Sequence, residues 1–361
     1  MPTLRLRDRD AIITKEGLIF RVFGYSHPPE AYICDVEYAP ATIFKSADPK
    51  ALRNKGQNVF YKFYADEGWN FVQSRTPQYM IPHEMLRRKI VGVNCSDILE
   101  VRKPEVEFKK LVSAEPEDEL LKAMRDVHEV ITQLSDLSIE DFGVFGSLLH
   151  GFYNPKFSDI DLIIYGRKNG AKLCETLREL YRTDSSTFRN EFEIEQSTRK
   201  ENWRFQNFSL EEYVWHQRRK LIYALFNDEK SSRIIRTEFE PVRNWNGINN
   251  EYNAETKISS RGWTRMLACV TEDSDTPFTP SVYSIEPLKV FEGIREALEV
   301  SRIVSYMEEF RMQALRDETV YVEGNLEEVT TPKGSFYQIA LTYCPRYYEQ
   351  VLKTTRNNKA L

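Results

Sequence analysis

The segment from Phe142 to Gly166 constrains the fold of this chain more than any other feature of the sequence. In its second half, two carboxylates, Asp159 and Asp161, alternate with the apolar residues Ile160 and Leu162. Successive side chains of a strand point to opposite faces, so this alternation predicts a strand with one buried face. Both carboxylates then project side by side from the other face.

Two like charges on one strand face repel each other unless a cation lies between them. Mg²⁺ is the expected cation, because it binds one or two carboxylates together with substrate phosphates. Upstream, Gly146 and Ser147 form a predicted turn before Leu148, where a helix is expected to begin. The backbone N–H groups and the hydroxyl of such a turn favour a phosphate. The pattern therefore predicts neighbouring sites for a divalent cation and a phosphate.

These residues also carry a family resemblance. The run from Gly146 to Gly151, followed by Ser158-Asp159-Ile160-Asp161-Leu162, resembles the signature of the polymerase-β-like nucleotidyltransferase superfamily. That signature is Gly-Ser, three residues and Gly, then a short spacer and Ser-Asp-apolar-Asp-apolar. The resemblance covers about residues 120–242, and the rest of the chain resembles the extensions of archaeal predicted nucleotidyltransferases.

The resemblance implies an α+β fold whose core is a small mixed sheet with helices. It implies an enzyme that moves a nucleoside monophosphate from a nucleoside triphosphate such as ATP to a hydroxyl acceptor, releasing pyrophosphate. Mg²⁺ or Mn²⁺ would be the cofactor, and Asp159 and Asp161 would be metal ligands and catalytic residues. Related enzymes use a third carboxylate from a neighbouring strand, for which Glu238 and Glu240 are the candidates. The alternative is that both glutamates are ordinary surface residues.

Three residues are predicted to contact the nucleotide, namely Gly146, Ser147 and Ser158. An alternative role for Ser147 is to cap the helix expected to begin at Leu148. Lys156 flanks the acids and is suited to neutralising phosphate charge, although a solvated side chain is the commoner role of such a residue.

The same two alternatives apply to Arg167, on the other flank of the acids. Arg218, Arg219 and Lys220 form a basic cluster on a predicted helix, where solvent is favoured over phosphate or RNA backbone. The five histidines include no pair with the spacing of a zinc-binding helix motif, and structural roles are expected for all of them.

A chain of 361 residues is too long for one small core, and its patterns favour three domains. Residues 1–112 form a predicted β-rich or mixed domain, which begins with a hairpin of residues 11–14 and 18–23. Residues 113–250 form the nucleotidyltransferase core. Residues 251–361 form a predicted β-rich domain, interpreted as a small barrel of the OB-like or SH3-like type.

Apolar spacing and turn residues also predict individual elements. In the core, helices are expected over 116–134, 171–181 and 210–227, and strands over 141–145, 159–165 and 233–242. In the flanking regions, the sequence predicts a helix over 82–89, a linker from the segments 103–105 and 113–118, and turns at 323–325 and 333–334.

Bulk properties limit location and partners. No apolar run is long enough to cross a membrane, and the N-terminus is charged where a signal peptide is apolar. Five widely spaced cysteines without a Cys-x-x-Cys pair argue against a disulfide framework. We therefore expect a cytoplasmic protein with reduced thiols, and no membrane partner.

The expected partners are a nucleoside triphosphate and an acceptor, for which RNA is the first hypothesis. Residues 1–110 carry 18 Lys and Arg against 14 Asp and Glu, a modest net charge of +4. The alternatives are nucleotidylation of a protein or a small molecule, as in antitoxin-like relatives, and an inactive module that binds nucleotides or nucleic acid. The sequence predicts no particular oligomeric state.

Overall fold

The computed structural model describes residues 4–183, 187–193, 203–343 and 346–355. They form two compact units with a mixed α+β architecture, as expected. The first unit contains the described residues of Met1–His83, Arg87–Arg189 and Ala224–Tyr252, and the second those of Glu84–Leu86, Asn190–Tyr223 and Asn253–Leu361. The division into three domains at residues 112 and 250 stays a prediction.

The N-terminal region is an antiparallel sheet of eight strands with one short helix. The strands are β1 (Ala11–Thr14), β2 (Ile19–Val22), β3 (Ala31–Pro40), β4 (Leu52–Lys55), β5 (Asn58–Lys62), β6 (Met80–His83), β7 (Arg88–Asn94) and β8 (Ile98–Arg102), and the helix is α1 (Glu67–Arg75). Their order is β4-β5-β3-β2-β1-β8, with β7 paired to β3 and β6. The predicted hairpin is confirmed, because β1 and β2 pair around Gly17, whose φ is +80°.

Two predictions in this region are wrong. The helix expected over 82–89 is a hairpin of β6 and β7, in which Ile81 and His83 alternate into the interior. Arg87 has a left-handed backbone with φ +49°, which a helix does not tolerate. The linker expected from segments 103–105 and 113–118 is interrupted by helix α2 (Pro104–Ser113), which includes residues 104 and 105 and buries Phe108 completely.

The central region is a mixed sheet covered by helices. Its elements are α3 (Glu119–Leu134), β9 (Phe142–Val144), α4 (Gly146–His150), β10 (Ile160–Tyr165), α5 (Arg167–Arg182), β11 (Phe188–Asn190), β12 (Tyr223–Asp228) and β13 (Arg233–Val242). The strand order is β11-β12-β13-β10-β9, with β10 parallel to β13 and antiparallel to β9. This is the small mixed sheet that the resemblance implies.

One face of β10 builds the core and the other builds the site. Ile160, Leu162 and Ile164 are fully buried and belong to the apolar cluster that α3 and α5 cover. The alternate residues, from Asp161 to Tyr165, therefore lie on the opposite face. That face turns toward the N-terminal sheet, to which it is joined by an ion pair between Arg9 and Glu240.

Element boundaries differ from the predicted ones where a local signal ends a helix. Helix α3 begins at Glu119, because the Asp118 carboxylate accepts a hydrogen bond from the Leu121 N–H at 3.0 Å. The helix expected over 210–227 is α6 (Leu210–Lys220), which belongs to the second unit. It ends where Leu221 adopts φ +54°, and the following residues form β12.

The second unit is built on a ring of strand pairings. Its strands are β14 (Lys257–Asp275), β15 (Ser281–Glu292), β16 (Val300–Ser305), β17 (Thr319–Thr331), β18 (Gly334–Leu341) and β19 (Val351–Thr354). Pairings run β14-β15-β16-β18-β17 and return to β14, and β16 and β18 are parallel. Met266, Ile303 and Val322 are among the fully buried residues of its core.

The barrel type stays an interpretation of this ring. The turn predicted at 323–325 is wrong, since these residues lie inside β17 and pair with β14 and β18. The turn at 333–334 is confirmed between β17 and β18. None of the described helices is long and apolar enough to cross a membrane. Cys34, Cys95, Cys174 and Cys269 are free thiols, and Cys344 lies outside the described residues.

Candidate active site

Three carboxylates, those of Asp159, Asp161 and Glu238, lie at the start of β10 and in the neighbouring part of β13. The parallel register pairs Asp161 with Glu238 and Ile163 with Glu240. Residues paired in this way point to the same face, so the Asp161 and Glu238 side chains lie next to each other on neighbouring strands. Asp159 immediately precedes β10 and lies two residues before Asp161, so its side chain is expected on the same face as that of Asp161. The strand pairing thus provides a physical distinction between the two glutamates that the sequence left open.

Electrostatics sets the two aspartates apart from ordinary surface acids. Burial raises the pKa of Asp161 to about 7, and the neighbouring Asp159 charge adds to the increase. Burial also raises the pKa of Asp159, while the charges of Arg236 and Arg233 act in the opposite direction. The Arg236 guanidinium lies 3.8 Å from the Asp159 carboxylate. At this end of the sheet, burial therefore acts against the charged form of both aspartates, and the nearby cations offset only part of that effect.

Gly146 is required by the position of Asp161. The glycine has φ +59°, and a Cβ atom built on it would clash with the Asp161 carboxylate. The backbone N–H of Phe145 donates to the Asp161 carbonyl at 3.1 Å, which fixes the turn against β10. The Gly-Ser turn and the acids of the motif therefore form one packed unit, as their spacing predicts.

The other two residues predicted to contact the nucleotide are Ser147 and Ser158. Helix α4 begins at Gly146 with Phe145 as its N-cap residue, so the alternative that Ser147 caps a helix at Leu148 is wrong. Ser147 is half-buried within the first turn. The Ser158 hydroxyl accepts a hydrogen bond from the Asn154 N–H at 2.8 Å.

Several basic residues singled out in the sequence lie in different surroundings. Lys156 and Arg167 are exposed. The basic cluster of α6 lies in the second unit, where Arg218 donates to the Phe192 carbonyl and Lys220 to the Glu309 carbonyl. Arg219 pairs with Glu318 at 2.5 Å. Contacts within the fold thus occupy this cluster.

Glu240 occupies a different environment from Glu238. Its side chain is 1% exposed and forms an ion pair with Arg9, which is 4% exposed. Glu238 is half-buried and lies two residues closer to the start of β13 than Glu240 does. Glu240 is thus buried in the interior, whereas Glu238 lies beside the aspartates.

The N-terminal sheet contributes residues that sequence reasoning missed. The charge of Lys62, on β5, lowers the pKa of both aspartates, and the charge of Glu37, on β3, raises that of Asp161. His150 is fully buried between these regions, with Nδ1 3.2 Å from Arg102 and Nε2 3.9 Å from Glu37. Lys62 and Glu37 lie about a hundred residues before the motif, and no local sequence signal connects them to it.

The donor set fits a divalent cation that is shared with a substrate. Among the described residues, no group of three or more His, Cys, Asp or Glu side chains is arranged so that it could hold a metal ion. Mg²⁺ commonly binds one or two carboxylates and completes its coordination with water and phosphate oxygens. Asp159 and Asp161, on one face and with raised pKa values, match that mode of binding.

Comparison with known proteins agrees with this geometry. Residues 127–238 match the model of the family described as nucleotidyltransferase domain. The chain is also 24% identical over 337 residues to the uncharacterized protein MJ1086 of Methanocaldococcus jannaschii, covering 93% of this chain and 94% of that protein. The similarity thus extends through the N- and C-terminal regions, although the name of the relative assigns no activity. No solved structure matches the chain.

The matched segment contains the Gly-Ser turn, both aspartates and Glu238, which the fold brings to one place. Residues 127–238 are therefore a nucleotidyltransferase domain of the polymerase-β-like superfamily.

Proposed function

We propose that the protein transfers a nucleoside monophosphate from a nucleoside triphosphate to a hydroxyl acceptor and releases pyrophosphate. The observation that carries this proposal is the juxtaposition of Asp159, Asp161 and Glu238 beside the turn at Gly146, within a nucleotidyltransferase domain. Phosphoryl-type transfer depends mainly on positioning and charge neutralisation, which this arrangement supplies without a protein nucleophile.

Asp159 and Asp161 would hold Mg²⁺ or Mn²⁺ at the triphosphate. When bound, such a cation neutralises phosphate charge and lowers the pKa of a coordinated hydroxyl. The aspartates themselves supply the negative charge that draws the cation to this point. The raised pKa of Asp161 reflects its burial first and the Asp159 charge second, and a bound cation would favour the charged form against both. Lys62, whose charge already acts on both aspartates, would offset part of the remaining phosphate charge.

We assign the third carboxylate to Glu238 and a structural role to Glu240. Glu238 is the strand neighbour of Asp161, whereas Glu240 is buried against Arg9. In the proposed step, the acceptor oxygen forms a bond to the α-phosphorus, and its proton passes to the Glu238 carboxylate. The bond from the α-phosphorus to the oxygen that bridges to the β-phosphorus breaks, and pyrophosphate leaves with that electron pair.

The remaining predicted residues have supporting roles in this proposal. Gly146 allows the turn to approach Asp161, and the Ser147 hydroxyl and backbone would contact the triphosphate. Ser158 would act through the loop that it stabilises, since its hydroxyl already accepts a hydrogen bond from Asn154. The proposal therefore expects a larger loss of activity from changes at Ser147 than at Ser158.

Labelled nucleotides test the proposal directly. The protein is incubated with each α-³²P-labelled nucleoside triphosphate, Mg²⁺ and either total RNA or a cell lysate. Label on RNA, on protein or on a small molecule, together with pyrophosphate release, supports nucleotidyl transfer and identifies the acceptor class. Triphosphate that binds but stays intact with all acceptors contradicts it and favours an inactive binding module.

Matched variants assign the residues in the same assay. Glu238→Gln should lose most of the transfer activity and keep Mg²⁺-dependent nucleotide binding, since it removes only the proton acceptor. Asp136→Asn, whose side chain is 93% exposed and belongs to an ion pair away from the site, is the control and should retain activity. Full activity in Glu238→Gln would rule out the assigned role.

A further inference from the structure

Three exposed side chains lie beside the acids, where β10 and β13 begin. Phe157 is the most exposed large hydrophobic residue in the described part of the chain, with 79% of its surface accessible. Ile234, on β13, is 60% exposed. Arg236, two residues further along, has a side chain that is 59% exposed and pairs with Asp159 at 3.8 Å. We call Phe157, Ile234 and Arg236 the platform.

The loop that carries Phe157 is held in place by polar contacts. The Asn154 N–H donates to the Ser158 hydroxyl at 2.8 Å, and the Ser158 N–H donates to the Asn154 carbonyl at 2.9 Å. The Arg233 guanidinium donates to the Pro155 carbonyl at 2.7 Å and the Ser158 carbonyl at 2.6 Å. The loop therefore holds the aromatic ring exposed to solvent, although burial of a phenyl group would be favourable.

The sheet order places the platform on one side of the acids. Strand β10 lies between β9 and β13. The Gly-Ser turn follows β9, whereas Ile234, Arg236 and Glu238 all belong to β13. A triphosphate at the turn and an acceptor on the platform would therefore approach the aspartates from opposite sides, with Glu238 on the acceptor side.

We propose that the platform binds the terminal nucleotide of a single-stranded nucleic acid, which is the acceptor of the transferred group. This inference rests on the proposed function and names its acceptor class. An aromatic face stacks on any nucleobase, and an aromatic group flanked by cations is typical of sites for single strands. Phe157 and Ile234 supply the apolar surface, and Arg236 and the exposed Lys156 supply positive charge for backbone phosphates.

The test measures binding without turnover. Fluorescein-labelled hexauridylate and hexaadenylate are titrated with the full chain at low salt, and binding is followed by fluorescence anisotropy. Phe157→Ala should weaken binding by about tenfold or more, given the strength of base–aromatic stacking. Phe157→Trp should retain it, because the larger ring stacks at least as well. Leu134→Ala, which alters an exposed residue at the end of α3, is the control and should bind like the unaltered protein.

A parallel calorimetric titration with Mg²⁺ and a nonhydrolysable triphosphate separates the two nucleotides of the reaction. Phe157→Ala should leave this affinity unchanged. Loss of triphosphate affinity with intact oligonucleotide binding would overturn the inference and move the platform to the incoming base. Absent oligonucleotide binding in the unaltered protein, or equal binding in Phe157→Ala, would overturn it as well.

Asp161→Asn makes failure of this inference distinguishable from failure of the proposed function. The variant should lose triphosphate binding and transfer while keeping its oligonucleotide affinity, because Asp161 lies outside the platform. If the unaltered protein binds the oligonucleotide but transfers no label, the proposed function is wrong and the platform assignment stands. Transfer that persists in Asp161→Asn would show instead that Asp161 is not a metal ligand. If transfer in the unaltered protein labels only protein, and Phe157→Ala does not change it, the proposed function stands and the platform assignment falls.

Discussion

The two ends of one sheet face use acidic side chains in opposite ways. At the end nearer the strand C-termini, Glu240 is buried and paired with Arg9. At the other end, Asp159 and Asp161 lie beside each other, and burial together with their mutual repulsion raises the pKa of Asp161 to about 7. The same two strands carry both sets. The comparison teaches that the immediate neighbour, a cation for Glu240 and a second carboxylate for Asp161, separates a structural acid from a candidate metal ligand better than position in the motif alone.

We call the end of the sheet face that carries Glu240 the balanced end, and similar ion pairs continue from it into the N-terminal segment. Asp10 is fully buried and pairs with Lys103, and Arg7 lies 3.2 Å from Glu105. The Arg7 guanidinium also stacks over the Tyr165 ring, with 3.6 Å from its central carbon to the ring centroid. The contacts of Arg9 with Glu240 and of Arg7 with Tyr165 thus fasten the N-terminal segment to the central sheet.

The largest expected effect comes from the other end of the face, the unbalanced end, which carries Asp159 and Asp161. Asp161→Asn should reduce transfer by roughly 10³-fold or more, because several kcal/mol of charge stabilisation depends on the cation that it holds. Its stability without metal should equal or exceed that of the unaltered protein, since the change removes a repelled, buried charge. Single-turnover rates and urea unfolding measure the two effects. An active variant, or one that is much less stable, would break the comparison.

The balanced end should respond to substitution in the opposite sense. Glu240→Ala should cost about 3–5 kcal/mol of stability, because it removes the nearer of the two carboxylates that pair with the buried Arg9 guanidinium and leaves only Asp8, at 3.8 Å. Denaturant unfolding of this variant provides the measurement. Unchanged stability together with lost transfer in Glu240→Ala would instead place Glu240 in the reaction.

A pair of glycines sharpens the comparison further. Gly146→Ala introduces a Cβ that clashes with the Asp161 carboxylate and a strained φ of +59°, so transfer should fall by about 10- to 100-fold. Gly170→Ala is the matched control, since its Cβ would meet no atom within 4 Å and it lies inside α5. The control should keep full activity and gain about 0.5–1 kcal/mol of stability. Equal activity of both variants would show that the turn does not need to contact Asp161.

The last prediction concerns the pH dependence of stability through Asp10. Burial raises its pKa to about 7, and Lys103 and the Arg7 N–H oppose that increase while the Glu105 charge adds to it. The folded state therefore holds a proton that the unfolded state releases near pH 4, and stability should fall as the pH rises from about 4 to about 7. Asp10→Asn should flatten this part of the stability curve, measured by urea unfolding at several pH values. A curve of unchanged slope would contradict the assignment.

The sequence could predict the parts of the site that are local. Alternation at Asp159 and Asp161 and the glycine before Ser147 follow from strand period and turn chemistry, and the structure places them together. The strand over 233–242 was likewise predicted with its observed limits. The choice between Glu238 and Glu240 required the register of β13 against β10, which no single segment encodes.

The parts that could not be predicted depend on long-range packing. Lys62 and Glu37 reach the site only because β3 and β5 of the N-terminal sheet face it. The basic run after Pro82 has the composition of a helix end, yet pairing of β6 with β7 makes it a hairpin. Arg236 could have been found, since it lies two residues before Glu238 on one strand face.

The most direct test of the central claim is an anomalous difference map from a crystal grown with Mn²⁺ and a nonhydrolysable nucleoside triphosphate. The account predicts a strong peak bound by carboxylate oxygens of Asp159 and Asp161 and by the phosphates, with the triphosphate against the turn at Gly146. A triphosphate bound elsewhere, with no peak between the two aspartates, would contradict it.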